Sequence, residues 1–353
     1  MRYIGNKENI LDKIYSILES NNIRGNSFFD FFAGTTNVSR FFKLKGYKVS
    51  SSDILYLSYC LQKAYVENNE EASFSKLIET FPCTESDSSF IRPLDKVVNH
   101  LNSIPRKKGF IYKNYTPGGT KDLERQRTYF IDANGEKIDA IRMKIEEWKL
   151  AGLLTDSEYY ILLACLIETI GFYSNVAGVY AAFQKKWDPR ALKPFELRTI
   201  EVITNDQINT VYNTDSMLLL DEIDVDILYL DPPYNERQYA PNYHILETIA
   251  KYDNPAIKGV TGMRDYSSQK SRFCSATTAL EDLDKIAKTA KFHYLVLSYN
   301  SEGIMPQEKI IETLQKYGKV KLEQFVYTRF KSNNNGLSKT KKTVFEQLYI
   351  LEK

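Results

Sequence analysis

Apolar and polar positions along this chain follow two rhythms, and the switch between them marks its elements. Ile10, Leu11, Ile14, Ile17 and Leu18 recur at helical spacing, so residues 7–20 are predicted to form an amphipathic helix. Phe28 to Phe32 is a short aromatic run that suits a buried strand, and it breaks at Ala33-Gly34. "NVSRFFKLKG" reads as a helix closed by Gly46. "YKVSSSDI" reads as a second short strand ending near Asp53, and Leu55 to Asn68 as a helix. Strand, glycine turn, helix, strand and acid, in that order, describe the first half of a nucleotide-binding α/β unit.

From about Thr80 to Phe195 the alternation stops. "PRKKGFIYKNYTPGGTKDLERQR" is basic, aromatic and rich in turn residues, while "DAIRMKIEEWKLAGLL" and "SEYYILLACLIETIGFYSNVAGVY" read as helices. The α/β rhythm resumes near Thr199. "VDILYLDPPYN" is a predicted strand, "PNYHILETIAKYD" and "EDLDKIAKTA" are helices, and "FHYLVLSYNSEGI" is a strand and turn. "PQEKIIETLQKYG" is a helix with Pro306 near its start. "KLEQFVYTRF" and "TVFEQLYILEK" are two strands joined by "KSNNNGLSKTKK", which reads as a mobile polar link. The fold class is therefore α/β. A Rossmann-like sheet with helices on both faces, from residues 1–79 and 199–353, is interrupted by a mostly helical module over 80–198.

Composition narrows the function classes. At 353 residues, with 43% hydrophobic and 26% charged residues, the chain has the balance of a soluble globular protein. Its formal net charge of +2 means that any nucleic-acid surface is a local patch and not a global bias. No apolar run is long enough to span a bilayer, and "MRYIGNKENILDKI" has no secretory core, so a cytoplasmic protein without a membrane partner is expected. Cys60, Cys83, Cys165 and Cys274 make no C-x-x-C knuckle and stand apart from the histidines; buried thiols are expected, with no metal site and no disulfide framework.

Two stretches carry chemistry. In "LYLDPPYNERQY" an apolar strand ends at Asp231, at the edge where doubly wound sheets bind ligands. Pro232 and Pro233 lack amide hydrogens and stiffen the backbone, which can fix the carbonyls of Asp231 and Pro232 as outward acceptors. The carboxylate is a stronger, charged acceptor, and Tyr234 offers a flat face on which a base can stack. An exocyclic amine on a nucleobase wants two acceptors of this kind. They favour a pyramidal nitrogen with a more available lone pair. A capped strand with a Pro-Pro turn is the plainer reading, but it leaves the aromatic and the asparagine unexplained. In "DFFAGTTNVS", Gly34 between strand and helix lets a ligand approach the backbone, and Asp53 is placed to bind a ribose hydroxyl pair. The stretch lacks the full G-x-G-x-x-G, so it suits an adenosine ligand without pyrophosphate.

"RYIGNK" at 2–7, "DFFAGTTNVS" at 30–39, "DPPYN" at 231–235 and "SYNSEGI" at 298–304 together resemble the Dam-like (α-group) family of S-adenosylmethionine-dependent DNA adenine-N6 methyltransferases, and within it the restriction-modification members. The resemblance covers roughly 1–70 and 200–353. It implies a class I methyltransferase sheet, with 80–198 as an inserted target-recognition module. S-adenosylmethionine would be the cofactor and double-stranded DNA the partner, with a cognate restriction endonuclease acting on the same sites. By position it implies Asp231, Pro232, Pro233 and Tyr234 as the catalytic motif. Tyr3 and Lys7 fall at the methionine end of the cofactor, Lys7 pairing its carboxylate. Phe32, Ala33 and Gly34 fall in the cofactor loop, with Asp53 at the ribose and Asp215 near the adenine. A helix N-cap is the plainer role for Asp215. Asn6 stands where many relatives carry glycine.

The expected reaction moves a methyl group to N6 of an adenine flipped out of the duplex. Arg237, Gln238 and Tyr239, directly after the motif, are the types a loop lining that base or clasping DNA would need. Arg106, Lys107, Lys108, Lys113, Lys121, Arg125 and Arg127, interleaved with Tyr112 and Tyr115, form one basic cluster. Lys185, Lys186, Arg190 and Lys193 form another, though charge runs are more often solvated faces. An RNA adenine-N6 or cytosine-N4 methyltransferase, or a non-catalytic DNA-binding protein on the same fold, are the competing readings.

Overall fold

A computed structural model describes residues 7–81, 91–328 and 343–353 of the chain. They gather into two compact units. Among the described residues, a helical unit comprises 63–203 and 241–265, and a sheet unit comprises 7–62, 204–240 and 266–353. The expected insertion, 80–198, falls inside the helical unit, which also takes in 63–79, 199–203 and 241–265.

The strands are β1 (Ser27–Asp30), β2 (Lys48–Ser52), β3 (Thr210–Tyr212), β4 (Asp224–Leu230), β5 (Ile257–Lys258), β6 (Met263–Arg264), β7 (Lys291–Asn300), β8 (Lys319–Thr328) and β9 (Thr343–Glu352). The helices are α1 (Leu11–Ser20), α2 (Asn37–Leu44), α3 (Tyr56–Gln62), α4 (Ser75–Ile78), α5 (Pro93–Ser103), α6 (Phe110–Tyr115), α7 (Asp132–Leu150), α8 (Asp156–Tyr173), α9 (His244–Lys251), α10 (Ala276–Thr289) and α11 (Gln307–Leu314).

In the sheet unit seven strands run in the order β3-β2-β1-β4-β7-β9-β8. From β3 to β7 all neighbours are parallel, and β9 is antiparallel to both β7 and β8. Strand order reverses at β1, which has β2 on one side and β4 on the other. The crevice for a ligand in such a sheet lies at this reversal, outside the carboxyl ends of the strands. Register aligns Asp30 of β1 with Tyr229 of β4, so both strands end at the same level. The chain then leaves β1 into Phe31–Gly34 and β4 into Asp231–Tyr234.

Side chains alternate between the faces, as a strand's geometry requires. Phe29, Leu228, Leu230, Leu295, Leu297, Tyr349 and Leu351 join Leu283 and Ile286 of α10 and Ile310 and Leu314 of α11 in one core. On the other face Phe28 stacks on Phe42 of α2 with ring centres 3.8 Å apart, and Tyr229 lies 5.8 Å from Phe28. Tyr15 of α1 meets Phe41 and Phe42 edge-on. The Rossmann-like expectation of helices on both faces therefore holds. Gly46, expected to close α2, adopts φ +87°, a conformation that L side chains rarely take.

In the helical unit α7 packs on α6 and α8, and β5 and β6 form a small antiparallel ribbon. α7 begins at Asp132, ahead of the expected helix, and carries an Asn-Gly pair that normally marks a turn. Packing overrides the local preference: a Cβ on Gly135 would lie 2.4 Å from the Thr116 methyl. The link over 331–342 and Cys83 lie outside the described residues; Cys60, Cys165 and Cys274 are buried thiols. Among the described residues no helix is long and apolar enough to cross a membrane.

Phe28 is fully buried at the centre of its sheet face. Phe28→Ala is expected to lower the stability of the sheet unit by about 3–5 kcal/mol. The shift would be read from the midpoint of its urea unfolding. A change under about 1 kcal/mol would contradict the packing described.

Candidate active site

The carboxyl ends of β2 and β4 lead into two acids picked out in the sequence, Asp53 and Asp231, and β1 ends in an acid that was not, Asp30. Asp231 follows β4, and Pro232 and Pro233 are buried behind it. The Tyr234 hydroxyl donates to Asp231 Oδ1 at 2.5 Å. Two flanking contacts fix Tyr234. Its carbonyl accepts from the Ile304 amide at 3.0 Å, and its ring meets Tyr299 edge-on with centres 5.5 Å apart. Gly303 allows the turn to close over Tyr299, because a Cβ there would lie 2.1 Å from that ring. The "SYNSEGI" stretch is thus the buttress of Tyr234.

Lys7 is 5% exposed and reaches the same point from the approach to α1. Its ammonium donates to the Tyr234 hydroxyl and the Glu346 carboxylate, and lies 3.4 Å from Asp231 Oδ1. It also sits 4.7 Å from the centre of the Tyr234 ring. The resemblance placed Lys7 on a cofactor carboxylate. In the structure the carboxylates it meets are the protein's own. Glu346, in β9, is 2% exposed and also accepts from Ser298 Oγ at 2.7 Å. Neither Glu346 nor Ser298 was singled out from the sequence, where a glutamate in a strand reads as solvent-facing.

These charges share a mostly dry site. Burial pushes the Asp231 carboxyl up to about 6; Lys7 and the Tyr234 hydroxyl oppose the rise and Glu346 adds to it. Burial works against the Lys7 charge, but Asp231 and Glu346 outweigh it, and its pKa ends above the ordinary lysine value. Burial, then Asp231 and Glu346, hold Tyr234 well above the ordinary tyrosine range, so it remains a donor. The Asp231 side chain is still 15% exposed, so its carboxylate keeps an open edge.

The β1 side is built from acids as well. Asp30 is buried and accepts from Ser39 Oγ at 2.6 Å, while its Oδ1 has no hydrogen-bond partner among the described residues. Burial pushes this carboxyl up to about 7; Ser39 opposes the rise, and Asp231 and Asp53 add to it. Phe32 and Ala33 form the turn after β1, and Gly34 follows at φ +50°. Thr36, beta-branched, is held at φ +64°, a strained conformation of the kind that clusters at ligand sites. Asp53 fastens the turn: Oδ2 accepts from the Gly34 amide and Oδ1 from the Leu55 amide, each at 2.8 Å. Asp215 accepts from the Met217 amide at 3.0 Å as the N-cap of a short helical turn, the plainer of its two readings.

Other sequence candidates scatter. Tyr3 lies outside the described residues. Arg237 is exposed, and Tyr239 is half-buried. Gln238 pairs with the Ser271 main chain through both ends of its amide, at 2.7 and 3.0 Å, so it holds the loop to the sheet unit. In the helical unit Arg106, Lys107 and Lys108 are exposed; Glu136 lies 3.8 Å from Arg106 and 4.0 Å from Lys108. Arg190 pairs with Asp188 at 2.5 Å. Arg127 departs from the basic cluster assigned to it. It is 7% exposed and donates to the carbonyls of Asn114, Gly259 and Val260, which makes it a scaffold residue. Tyr115, interleaved with that cluster, is fully buried. Among the described residues no cluster of three or more His, Cys, Asp or Glu could hold a metal ion.

A parallel sheet that reverses at β1, with an antiparallel strand inserted beside β7 and an Asp-Pro-Pro-Tyr turn at the crevice, defines a Rossmann-like methyltransferase fold. A family model described as D12 class N6 adenine-specific DNA methyltransferase matches residues 3–318, and the chain belongs to that family. It is 37% identical over 357 residues to Type II methyltransferase M.NlaIII of Neisseria lactamica, spanning 100% of this chain and 99% of that one. It is 38% identical over 339 residues to Type II methyltransferase M.FokI of Planomicrobium okeanokoites, spanning 95% of this chain and 50% of the relative. Modification methylase StsI of Streptococcus sanguinis is 36% identical over 357 residues, spanning 100% of this chain and 52% of the relative. The chain thus covers about half the length of M.FokI and StsI. Methyltransferases of this kind use S-adenosylmethionine in general.

The bond from Tyr234 holds the Asp231 carboxyl pKa down. Tyr234→Phe is therefore expected to move that carboxyl's titration above about 6, followed by the infrared carboxyl band of the unliganded protein. A downward movement would contradict the assigned network.

Proposed function

We propose that this chain transfers a methyl group from S-adenosylmethionine to N6 of an adenine rotated out of duplex DNA, as the cytoplasmic modification partner of a restriction endonuclease. The observation that carries this reading is the position of Asp231, Pro232 and Tyr234 outside the carboxyl end of β4, at the reversal of strand order.

The residues of the crevice fit the cofactor. Gly34 at positive φ gives a ligand close access to the backbone, and the second acid, Asp53, keeps that turn in place. Asp30 presents a buried acceptor without a hydrogen-bond partner among the described residues, so the donor set is anionic and suits a cation. Phe32, Ala33, Gly34, Asp53 and Asp215 would hold S-adenosylmethionine, which supplies an electrophilic methyl on a positively charged sulfur. Lys7 and, by the family resemblance, Tyr3 would serve the methionine end of the cofactor.

Asp231 and the Pro232 carbonyl accept the two hydrogens of the adenine amine and turn its lone pair outward. Asp231 needs no proton transfer before attack, because the nitrogen becomes acidic once alkylated; its open edge then receives the proton. Tyr234 stacks on the base and offsets part of the few kcal/mol that unstacking costs. Catalysis is chiefly positioning, which alone can lower a barrier by several kcal/mol. Arg237 and Tyr239 would flank the extruded nucleotide. Residues 80–198 would serve as the target-recognition module, with Arg106, Lys107, Lys108 and Arg190 on phosphates.

Asp231→Ala is expected to lower methyl transfer to duplex DNA by about a hundredfold or more while S-adenosylmethionine still binds. Labelled-methyl transfer to adenine duplex, cytosine duplex and RNA measures both the rate and the class of substrate. Turnover within tenfold of wild type would overturn the assignment. The Asp30 carboxyl, pushed up to about 7, gives a second test. Above that pH its charge favours a sulfonium, so affinity for S-adenosylmethionine is expected to rise as pH passes upward through about 7. The neutral thioether S-adenosylhomocysteine should show a flatter profile by titration calorimetry. Parallel profiles would exclude Asp30 from the sulfonium's surroundings.

A further inference from the structure

We propose that Glu346 is a positioning residue for methyl transfer: by holding the Lys7 ammonium, it keeps Asp231 available to the hydrogens of the target amine. This rests on the role given to Asp231 above.

The argument starts from a conflict. A buried carboxylate beside a lysine normally takes that lysine as a full partner. Asp231 would then be neutralised, with Oδ1 filled by an ammonium that competes with the adenine amine. The structure shows a different division. Lys7 is in direct contact with Glu346 and the Tyr234 hydroxyl and stands 3.4 Å from Asp231. One ammonium therefore serves two carboxylates, and Glu346, the one outside the Asp-Pro-Pro-Tyr turn, holds it more closely. Ser298 Oγ donates to the same Glu346 oxygen at 2.7 Å, which fixes its direction. β9 pairs with β7 so that Glu346 lies opposite Asn300, at the crevice end of the sheet.

The groups that face Asp231 can be named from every side. Lys7 comes from the approach to α1, Glu346 from β9, Tyr234 from its own turn, Asp30 from β1 and Tyr229 from β4. Among the described residues, Lys7 is the cation with the largest effect on it. Any change in Lys7's allegiance must therefore reach Asp231. Neutralising Glu346 removes a like charge from Asp231's surroundings and also releases Lys7 toward it. Both effects favour the ionised carboxylate, and both place an ammonium where the amine should bind.

Glu346→Gln, which keeps the side-chain shape, is therefore expected to do two things together. Methyl transfer to duplex DNA above pH 7 should fall about tenfold or more. The acid limb of kcat/KM should move to lower pH by about one unit. Glu346→Asp, which keeps the charge, should leave the limb in place. A merely structural role would lower activity or melting temperature without moving the limb. A limb unmoved in a folded Glu346→Gln variant would overturn the proposal. Should that variant fail to fold, Lys7→Gln tests the same charges from the other side and should move the limb to higher pH. An inactive wild type, by contrast, would sink the methyltransferase reading itself.

Discussion

Most of this site depends on one buried ammonium. Lys7 stands between Asp231 and Glu346, and without it two carboxylates would share a desolvated space. Two unit charges about 4 Å apart interact by roughly 4 kcal/mol at an effective dielectric near 20. That is a large fraction of a protein's net stability. Both carboxylates can be charged in the same place only because a cation is held between them. The Tyr234 hydroxyl ties the arrangement to the Asp-Pro-Pro-Tyr turn, accepting from Lys7 and donating to Asp231.

The chain positions that meet here are remote in sequence. Lys7 lies near one end, Glu346 near the other, and Asp231 between them. Only a completed sheet, with β4 beside β7 and β7 beside β9, brings the three together. The antiparallel β9 matters for this reason. It carries a polar residue to the crevice end of a sheet whose other strands end there in turns.

Elements whose signal is local were legible in the sequence, and elements decided by partners were not. The glycine closing α2, the turn at Gly34 and the acid after β4 all follow from backbone requirements within a few residues. The four blocks in order also pointed to the right family. Glu346 escaped because its burial depends on a lysine 339 positions away. Asp30 lay unmarked within the aromatic run read as a strand, yet its carboxyl is buried at the end of β1 against Ser39. Arg127 was misread in the opposite sense: a run of basic residues looks like a nucleic-acid face, but this guanidinium is surrounded by main-chain carbonyls. The early start of α7 is likewise set by the close approach of Thr116 to Gly135.

At the crevice end of the sheet unit Asp53 and Asp231 are partly exposed, Asp30 and Glu346 are buried, and Lys7 is paired with Asp231 and Glu346. Such a surface attracts a sulfonium and repels a phosphate. A nucleotide could enter only base first, its charged backbone kept away from the acids. A neutral purine carrying an amine meets no electrostatic penalty there, and the amine is the one part of it that rewards carboxylate acceptors. The phosphates must then be satisfied by cationic side chains outside the crevice. The near-zero net charge of the whole chain is consistent with that separation of an acidic pocket from basic patches. On the proposed reading, the acids that would attract the donor also select which part of a nucleic acid can reach it.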